Sequence, residues 1–209
     1  MKTIDFYFDI YSPYAYLAFH RLTEIADKYN CAVNYLPIDL KRAKVAAGNT
    51  GPANMQIPPK IRYLMTDLKR WATRYNLPFG AIPKNMDSSR LNRGVFYAIE
   101  RDDARDYVRE SYDAVWGHGG DMTSDELLSD IARKLNWDPE EFLAYIGSGD
   151  ADEKYENLFN DAVERGVFGV PVVIIDDQMW WGNDRLHFVE EYLAEKARYS
   201  TRLQRPANF

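Results

Sequence analysis

Ser12-Pro13 is the dipeptide of this chain whose position suggests chemistry most clearly. An apolar run that predicts a strand ends at Asp9, and a helical pattern of apolar residues extends beyond Pro13 to Tyr29. Serine is a favoured N-cap and proline suits the first helical position, so the Ser12 hydroxyl is predicted to stand at a helix N-terminus. Unpaired N–H groups and the positive end of the helix dipole stabilise a thiolate there. Because the chain has no cysteine at this position, the thiolate would come from a ligand, unless Ser12 is only a cap.

Two features near the C-terminus could complete a ligand site. Val170-Pro171 precedes a strongly apolar strand pattern, although proline cannot donate a hydrogen bond to a ladder. A cis bond would leave the backbone groups of Val170 free to pair with an extended peptide ligand, whereas a trans proline at a strand start is the commoner case. Asn183 and Asp184 stand at the start of the last predicted helix, where each either caps that helix or binds the charged end of a ligand.

Other polar residues lie in and near two predicted loops. One loop, 48–54, is rich in glycine and proline, and loops of this kind often carry binding residues. Taken singly, each candidate fits a solvated surface better than a binding role. No hydrolase elbow, dinucleotide fingerprint or Walker A pattern is present, and the three histidines lack metal-site spacing. The candidates in these segments are Lys44, Asn49, Asn54, Lys60, Asn85 and Arg90.

The elements that carry these residues form two halves around a helical stretch. The N-terminal patterns predict a strand, a helix and a strand, which make a βαβ unit, at Ile4–Asp9, Pro13–Lys28 and Val33–Leu40. The C-terminal patterns predict two strands, at Val170–Asp176 and Met179–Trp181, and then a helix. Helices are predicted between the halves, including one after Ser88-Ser89, one at Tyr107–Trp116 and one at Glu153–Arg165 capped by Asp150.

This layout is that of an α/β protein with a thioredoxin-like βαβ/ββα fold and a large all-helical insertion. The predicted boundaries place the thioredoxin-like domain at residues 1–42 and 167–200 and the inserted helical domain at 43–166. Residues 201–209 form a tail without a clear pattern. The glycine, proline and charged-residue distributions show no internal repeat and no low-complexity tract.

Composition excludes several classes of function. With 209 residues and a net charge of -6, the chain has no electrostatic footprint for nucleic acid or an anionic membrane. It shows no signal-peptide pattern and no apolar run near the ~20 residues that span a membrane, so a cytoplasmic location is expected. Cys31 is the only cysteine and is read as a small buried hydrophobe. A dithiol redox enzyme is therefore nearly excluded, because one cysteine cannot cycle an intramolecular disulfide.

The chain resembles kappa-class glutathione transferases and, more specifically, the bacterial 2-hydroxychromene-2-carboxylate isomerases. The resemblance extends from about Ile4 to Leu193. It departs from the family pattern in the loop before Ser88 and at 57–59, which bear on substrate shape. The motifs that carry it are Phe6–Asp9 with Ser12-Pro13, Gly48-Asn49 with Gly51-Pro52, Tyr63–Trp71, Ala114–Gly117, Val167–Pro171 and Met179–Leu186.

The resemblance implies a homodimer that uses glutathione as a regenerated cofactor and acts on a small aromatic substrate. The implied reaction interconverts 2-hydroxychromene-2-carboxylate and trans-o-hydroxybenzylidenepyruvate in naphthalene-type catabolism, without a metal. Ser12 is implied to be catalytic because it matches the serine that holds the glutathione sulfur. The implied cofactor contacts are Ser12, Val170, Pro171, Asn183, Asp184 and Lys60, and the implied substrate contacts are Lys44, Asn54, Asn85 and Arg90.

Two other functions are compatible with the same residues. A kappa-class transferase would release the glutathione adduct as its product and consume glutathione, which an isomerase does not. A non-catalytic thioredoxin-like module would instead capture a peptide at the strand edge beside Val170 and would not bind glutathione at millimolar concentration. Fold alone does not separate these functions.

Overall fold

The computed structural model describes residues 2–52 and 54–203, and these contain one four-stranded mixed sheet. The strand order is β2-β1-β3-β4, with β1 parallel to β2 and β3 antiparallel to both β1 and β4. This arrangement confirms the predicted thioredoxin-like βαβ/ββα fold. The strands are β1 at Thr3–Phe8, β2 at Ala32–Pro37, β3 at Val172–Ile175 and β4 at Gln178–Trp181.

Helix α1, Pro13–Tyr29, connects the two parallel strands and begins at the predicted residue. The second strand is shorter than predicted, because it ends at Pro37 and not at Leu40. Asp39 instead caps a helix, since its carboxylate accepts hydrogen bonds from the amides of Lys41 and Arg42 at 2.8 and 3.0 Å. That helix, α2, spans Leu40–Ala46 and was not predicted.

Helices and turns make up every regular element described between α2 and β3, as predicted for the insertion. A 3₁₀ turn, Asn54–Gln56, precedes the first of them. The helices are α3 at Pro58–Tyr75, α4 at Ser89–Ile99, α5 at Ala104–Tyr112, α6 at Asp125–Lys134, α7 at Pro139–Ile146 and α8 at Gly149–Glu164.

Two predictions within these helices were wrong in detail. The predicted helix at Tyr107–Trp116 changes its hydrogen bonding at Asp113, where a π-helical turn, Asp113–Gly117, follows α5. Asp150 does not cap α8; Ser148 does, because its hydroxyl accepts a hydrogen bond from the amide of Ala151 at 3.2 Å. The Asp150 carboxylate lies within the first turn of α8 instead.

The sheet is covered on both faces, because alternate residues of each strand point to opposite sides. On one face, Phe6, Phe8 and Val173 pack against α1 and the helices of the insertion. On the other face, Tyr7 and Val172 belong to a second cluster with residues of α2 and α8. Buried side chains therefore hold β1 from both faces of the sheet and hold α2 against one of them.

The last helix, α9, spans Leu186–Leu203 and follows a short 3₁₀ turn at Asn183–Arg185. It extends past the predicted start of the tail at residue 201, and residues 204–209 of that tail lie outside the described residues. Among the described helices, none combines the length and the apolar character needed to cross a membrane.

Candidate functional site

Ser12 occupies the predicted place at the N-terminus of α1. Its side-chain oxygen accepts a hydrogen bond from the amide of Ala15 at 3.2 Å, and Pro13 is the first helical residue. Ser12 is nearly buried, yet it forms part of the wall of a large cleft. Because the cap uses only the oxygen of the hydroxyl, its proton remains available to a ligand in the cleft.

Two buried side chains fix the backbone that leads to Ser12. The Trp116 indole nitrogen donates a hydrogen bond to the Ile10 carbonyl at 2.8 Å, and the Tyr112 hydroxyl donates one to the Asp9 carbonyl at 3.1 Å. Trp116 belongs to the π-helical turn, and its ring also lines the cleft. The change of hydrogen bonding after α5 thus places an aromatic wall beside Ser12, and π-turns are common at functional sites.

The cleft has a volume of about 1040 Å³ and lies between the start of α1, α2, the segment leading into α3, and the loop before β3. This size is at the upper end for small-molecule sites, which are typically ~300–1,000 Å³. Of the residues singled out from the sequence, the cleft brings together Ser12, Lys44, Asn49, Asn54, Lys60 and Val170.

Val170 lies on the cleft wall, in the loop that leads into β3. The Val170-Pro171 peptide bond is cis, which answers the question left open by the sequence. The Pro171 carbonyl accepts a hydrogen bond from the Gly182 amide at 2.9 Å, so this part of the loop is tied to the end of β4. Within the described chain, neither the amide nor the carbonyl of Val170 has a backbone hydrogen-bond partner. These two groups are available to an extended ligand.

The charged groups on the cleft wall are all cationic within the part of the chain that the structure describes. They are the ammonium groups of Lys41, Lys44 and Lys60, and none of them forms an ion pair there. Lys60 donates a hydrogen bond to Asn54 at 3.3 Å, and Lys41 lies 4.5 Å from the ring centroid of Tyr11. A wall of this charge attracts anionic ligands. Sequence reasoning missed Lys41, because no helix was predicted after the strand that was expected to end at Leu40.

Tyr14 adds a polar group to the same wall. Its hydroxyl donates a hydrogen bond to the Asp67 carboxylate at 2.8 Å. Burial, and then this hydrogen bond, raise the pKa of Tyr14, so the phenol stays protonated at neutral pH. Tyr14 therefore fixes α1 against α3 and supplies an uncharged edge to the cleft.

The apolar part of the wall includes an exposed aromatic pair. Trp181 and Phe168 meet edge to face with ring centroids 5.0 Å apart, and Trp181 is 49 % exposed. Trp180, the preceding residue of β4, points to the other side and packs against Tyr192. The sequence analysis did not separate these two tryptophans, although alternation along a strand is the signal that distinguishes them.

Three comparisons with known proteins bear on this site. Residues 3–194 match the family of DSBA-like thioredoxin domains. The 2-hydroxychromene-2-carboxylate isomerase of Pseudomonas sp. (strain C18) is 43% identical over 187 residues, which are 90% of this chain and 88% of that protein. A solved structure of a selenomethionine 2-hydroxychromene-2-carboxylate isomerase matches with a TM-score of 0.93 and 40% identity, covering 97% of this chain and 100% of the other.

This chain belongs to the DSBA-like thioredoxin family, within its 2-hydroxychromene-2-carboxylate isomerase branch. A more distant similarity links it to human glutathione S-transferase kappa 1, at 25% identity over 211 residues, covering 93% of this chain and 92% of that protein. Both relationships agree with the resemblance found in the sequence.

In this family member, Asn183 and Asp184 lie beside the cleft and not on its wall. Asn183 is 2 % exposed, and neither polar atom of its side-chain amide has a hydrogen-bond partner among the described residues. The amide lies near the Tyr75 phenol, whose pKa burial raises and this amide lowers, but the two groups do not meet hydrogen-bond geometry. Asp184 forms an ion pair with Arg185. Asn183 therefore does not act as the helix cap suggested by its sequence position.

Asn85 and Arg90 are not brought to the cleft. The Asn85 amide donates a hydrogen bond to Asp121 at 2.5 Å, and the Arg90 guanidinium donates one to Asp125 at 2.6 Å. These acidic partners lie in the loop before α6 and at its start, which the sequence could not place opposite the two candidates. Their implied substrate contacts are not supported by this geometry.

Cys31 lies apart from the cleft, after α1. Its thiol approaches the Tyr29 carbonyl at 3.6 Å, and burial raises the pKa of the thiol. It is half-buried against the main core, so it is less enclosed than predicted. A thiolate in the cleft must therefore come from a ligand.

Proposed function

We propose that this protein is a glutathione-dependent isomerase that interconverts 2-hydroxychromene-2-carboxylate and trans-o-hydroxybenzylidenepyruvate in naphthalene-type aromatic catabolism. One observation carries the proposal: the Ser12 hydroxyl and the unpaired backbone of Val170 line one cleft, in a chain whose single cysteine lies elsewhere. Relatives that are 40–43% identical are named as this isomerase, and more distant ones are named as glutathione transferases.

The residues around the cleft fit glutathione. The unpaired amide and carbonyl of Val170, beside Pro171, match the two hydrogen-bonding groups of the cysteinyl residue in an extended tripeptide. Asn183 and Asp184, which lie beside the cleft and not on its wall, are the residues that the family resemblance assigns to the charged γ-glutamyl end. The Lys60 ammonium, which has no ion-pair partner among the described residues, suits the carboxylate at the other end.

Ser12 and α1 provide the chemical environment for the sulfur. A free thiol has a pKa near ~8.5, so only a few per cent of it is ionised at neutral pH. The Ser12 hydroxyl donates a hydrogen bond to the sulfur while its oxygen keeps the cap to Ala15, and the start of α1 adds its positive dipole. Both effects favour the thiolate and lower its pKa. When bound, glutathione supplies a nucleophilic sulfur that adds reversibly to a conjugated carbon, which permits rotation about the former double bond.

The cationic part of the wall binds the substrate carboxylate. Lys44 and Asn54, which the sequence suggested, lie there together with Lys41. These groups donate hydrogen bonds to the carboxylate and to the oxygen on which enolate-like charge develops, and donors of that kind are typically worth ~3 kcal/mol. Trp116 provides an apolar surface for the aromatic ring.

An absorbance assay of 2-hydroxychromene-2-carboxylate with and without glutathione tests the proposal. We expect turnover only with glutathione, which is recovered unchanged at the end of the reaction. Stoichiometric loss of glutathione would favour a conjugating transferase, which the kappa-class similarity makes the second candidate. Absence of glutathione binding at millimolar concentration would overturn both enzymes in favour of a peptide-binding module.

The resemblance also implies a cytoplasmic homodimer. Sedimentation or light scattering of the purified protein tests the oligomeric state, with a mass of twice 24.3 kDa as the expected result. A monomer that retains full isomerase turnover would contradict the expected assembly and leave the proposed chemistry intact.

A further inference from the structure

A fully buried carboxylate, Asp9, directly follows β1 and has no part in the function proposed above. It is 2 % exposed. No lysine or arginine of the described residues pairs with it, so dipoles alone hold this group. A buried carboxylate without a cation costs free energy unless hydrogen bonds satisfy it. An acid at this position therefore calls for a structural or functional reason.

Two of its hydrogen bonds come from backbone on either side of the cleft. One carboxylate oxygen of Asp9 accepts from the Tyr11 amide at 3.0 Å, and the other accepts from the Leu40 amide at 2.9 Å. The Asp9 carbonyl also accepts from the Ser12 amide at 2.9 Å. The carboxylate therefore joins the Ser12 loop (residues 9–12) to the first residue of α2.

The helix joined in this way carries the lysines of the cleft. Lys41 and Lys44 follow Leu40 in α2, and both line the cleft wall. They are three residues apart, which places them on one side of the helix. We refer to these two side chains as the cationic face of α2. The Asp9 carboxylate thus connects the backbone next to the Ser12 hydroxyl with the backbone next to the cationic face of α2.

A second pair of donors anchors this junction to the insertion. The Ser88 hydroxyl donates to Asp9 at 2.5 Å, and the Asn92 amide donates to it at 2.8 Å. Asn92 in turn accepts a hydrogen bond from the Ile10 amide at 3.1 Å and contacts the Tyr155 hydroxyl at 3.0 Å. Ser88 stands directly before α4 but its side chain makes no capping hydrogen bond to that helix. Its hydroxyl binds Asp9 instead.

We propose that Asp9 is a positioning residue that fixes Ser12 and the cationic face of α2 in one geometry, an inference that rests on the function proposed above. The donor set explains why an acid is required. Two backbone N–H groups and the side-chain NH2 group of Asn92 can only donate, so an acceptor-only carboxylate satisfies all of them. An amide in its place turns one acceptor into a donor that faces another donor.

Asp9→Asn, which keeps the size of the side chain, is the main test. We expect kcat at saturating glutathione to fall on the order of tenfold, because the Ser12 hydroxyl is no longer held in one geometry with the bound sulfur. We also expect a higher KM for the carboxylate substrate, because the start of α2 and its two lysines are no longer held in position. Binding of S-methylglutathione, which lacks the thiol, should stay within about twofold of the wild type, since Val170 is untouched.

Tyr107→Phe is the matched control. Tyr107 is fully buried, lies outside the cleft and donates a hydrogen bond to the Leu91 carbonyl at 2.8 Å. The Tyr107→Phe variant should unfold at a lower temperature than the wild type, with unchanged kcat and unchanged KM for the carboxylate substrate. If Asp9→Asn behaves like this control, the carboxylate is only structural and the inference is overturned. Ser88→Ala removes one donor to Asp9 and should change kcat and KM in the same direction as Asp9→Asn, by a smaller factor. This variant tests the inference if Asp9→Asn does not fold.

Hydrogen exchange separates this inference from the proposed function. Asparagine keeps one oxygen for the three donors that share an Asp9 oxygen, so in the free protein the Leu40 amide should lose protection in Asp9→Asn, and this readout needs no glutathione. Unchanged protection of this amide overturns the inference whether or not glutathione binds. A wild-type protein that fails to ionise bound glutathione overturns the proposed function, while the exchange result still decides the role of Asp9.

Discussion

Replacing Ser12 removes two hydrogen-bonding functions that can be separated quantitatively. The Ser12 oxygen caps α1 through the Ala15 amide at 3.2 Å, and loss of such a cap costs about 1 kcal/mol of stability. In the proposed reaction its proton stabilises the sulfur, and loss of one such donor costs about 3 kcal/mol of barrier. Ser12→Ala should therefore lower kcat on the order of a hundredfold and lower the melting temperature by a few degrees.

Two further variants distinguish the cap from the donor. Ser12→Gly also lacks the hydroxyl, but glycine keeps all but a few tenths of a kcal/mol of the capping free energy. Ser148→Ala removes a cap of the same geometry, because Ser148 accepts from the Ala151 amide at 3.2 Å at the start of α8. We expect both Ser12 variants to lose the same turnover, and Ser148→Ala to lose stability while keeping its turnover.

The assay combines kcat at saturating glutathione, the pKa of the bound thiol from its ultraviolet absorbance, and thermal unfolding by circular dichroism. Glutathione should still bind to both Ser12 variants, with a thiol pKa closer to that of free glutathione. Turnover within about threefold of the wild type in both variants would refute the role of the hydroxyl, since ~3 kcal/mol predicts far more. Equal loss of turnover in Ser148→Ala would assign the effect to helix stability instead.

Three other predictions concern the cleft wall and one surface ion pair. Lys44→Ala should raise the KM for the substrate about tenfold with a small change in kcat, whereas Lys69→Ala on α3, outside the cleft, should change neither in steady-state kinetics. Trp181→Ala should weaken substrate or glutathione binding by about 1 kcal/mol or more with unchanged unfolding temperature, as titration calorimetry and thermal unfolding can check, because the side chain is half-exposed. The Arg42 hydrogen bond lowers the pKa of Glu156, so this carboxylate stabilises the fold above roughly pH 4.5 and loses that effect as pH falls through its folded pKa. Glu156→Gln should therefore cost under about 1 kcal/mol at neutral pH, and the difference in denaturant midpoint should vanish in acid.

Features that depend on neighbouring residues could be predicted from the chain alone. The Ser12 cap uses an amide three residues away, so residue type and spacing were sufficient. The apolar run at Val172–Ile175 and the start of α1 were found for the same reason. The second strand was predicted too long, because Asp39 follows it and its capping bonds compete with the apolar pattern.

Pairings between distant segments were decided by the tertiary structure. Arg90 and Asp125 are 35 residues apart, and their contact removes a predicted substrate ligand from the cleft. Asp9 and Leu40 are 31 residues apart, and their contact brings an unpredicted lysine helix to it. A carboxylate or guanidinium can reach many partners in an unfolded chain, and only the packing of the elements selects one of them.

By itself the sequence determined that a hydroxyl would stand at a helix N-terminus without a cysteine, because capping and dipole effects act within one turn. Only the tertiary structure decided which residues line the cleft together with that hydroxyl. Ser12, Lys44 and Val170 come from separate parts of the chain, and a shared cleft exists because the order β2-β1-β3 and the directions of these strands bring the segments that carry them to the same end of the sheet. Burial and hydrogen bonding across the sheet, which no local pattern records, set that arrangement.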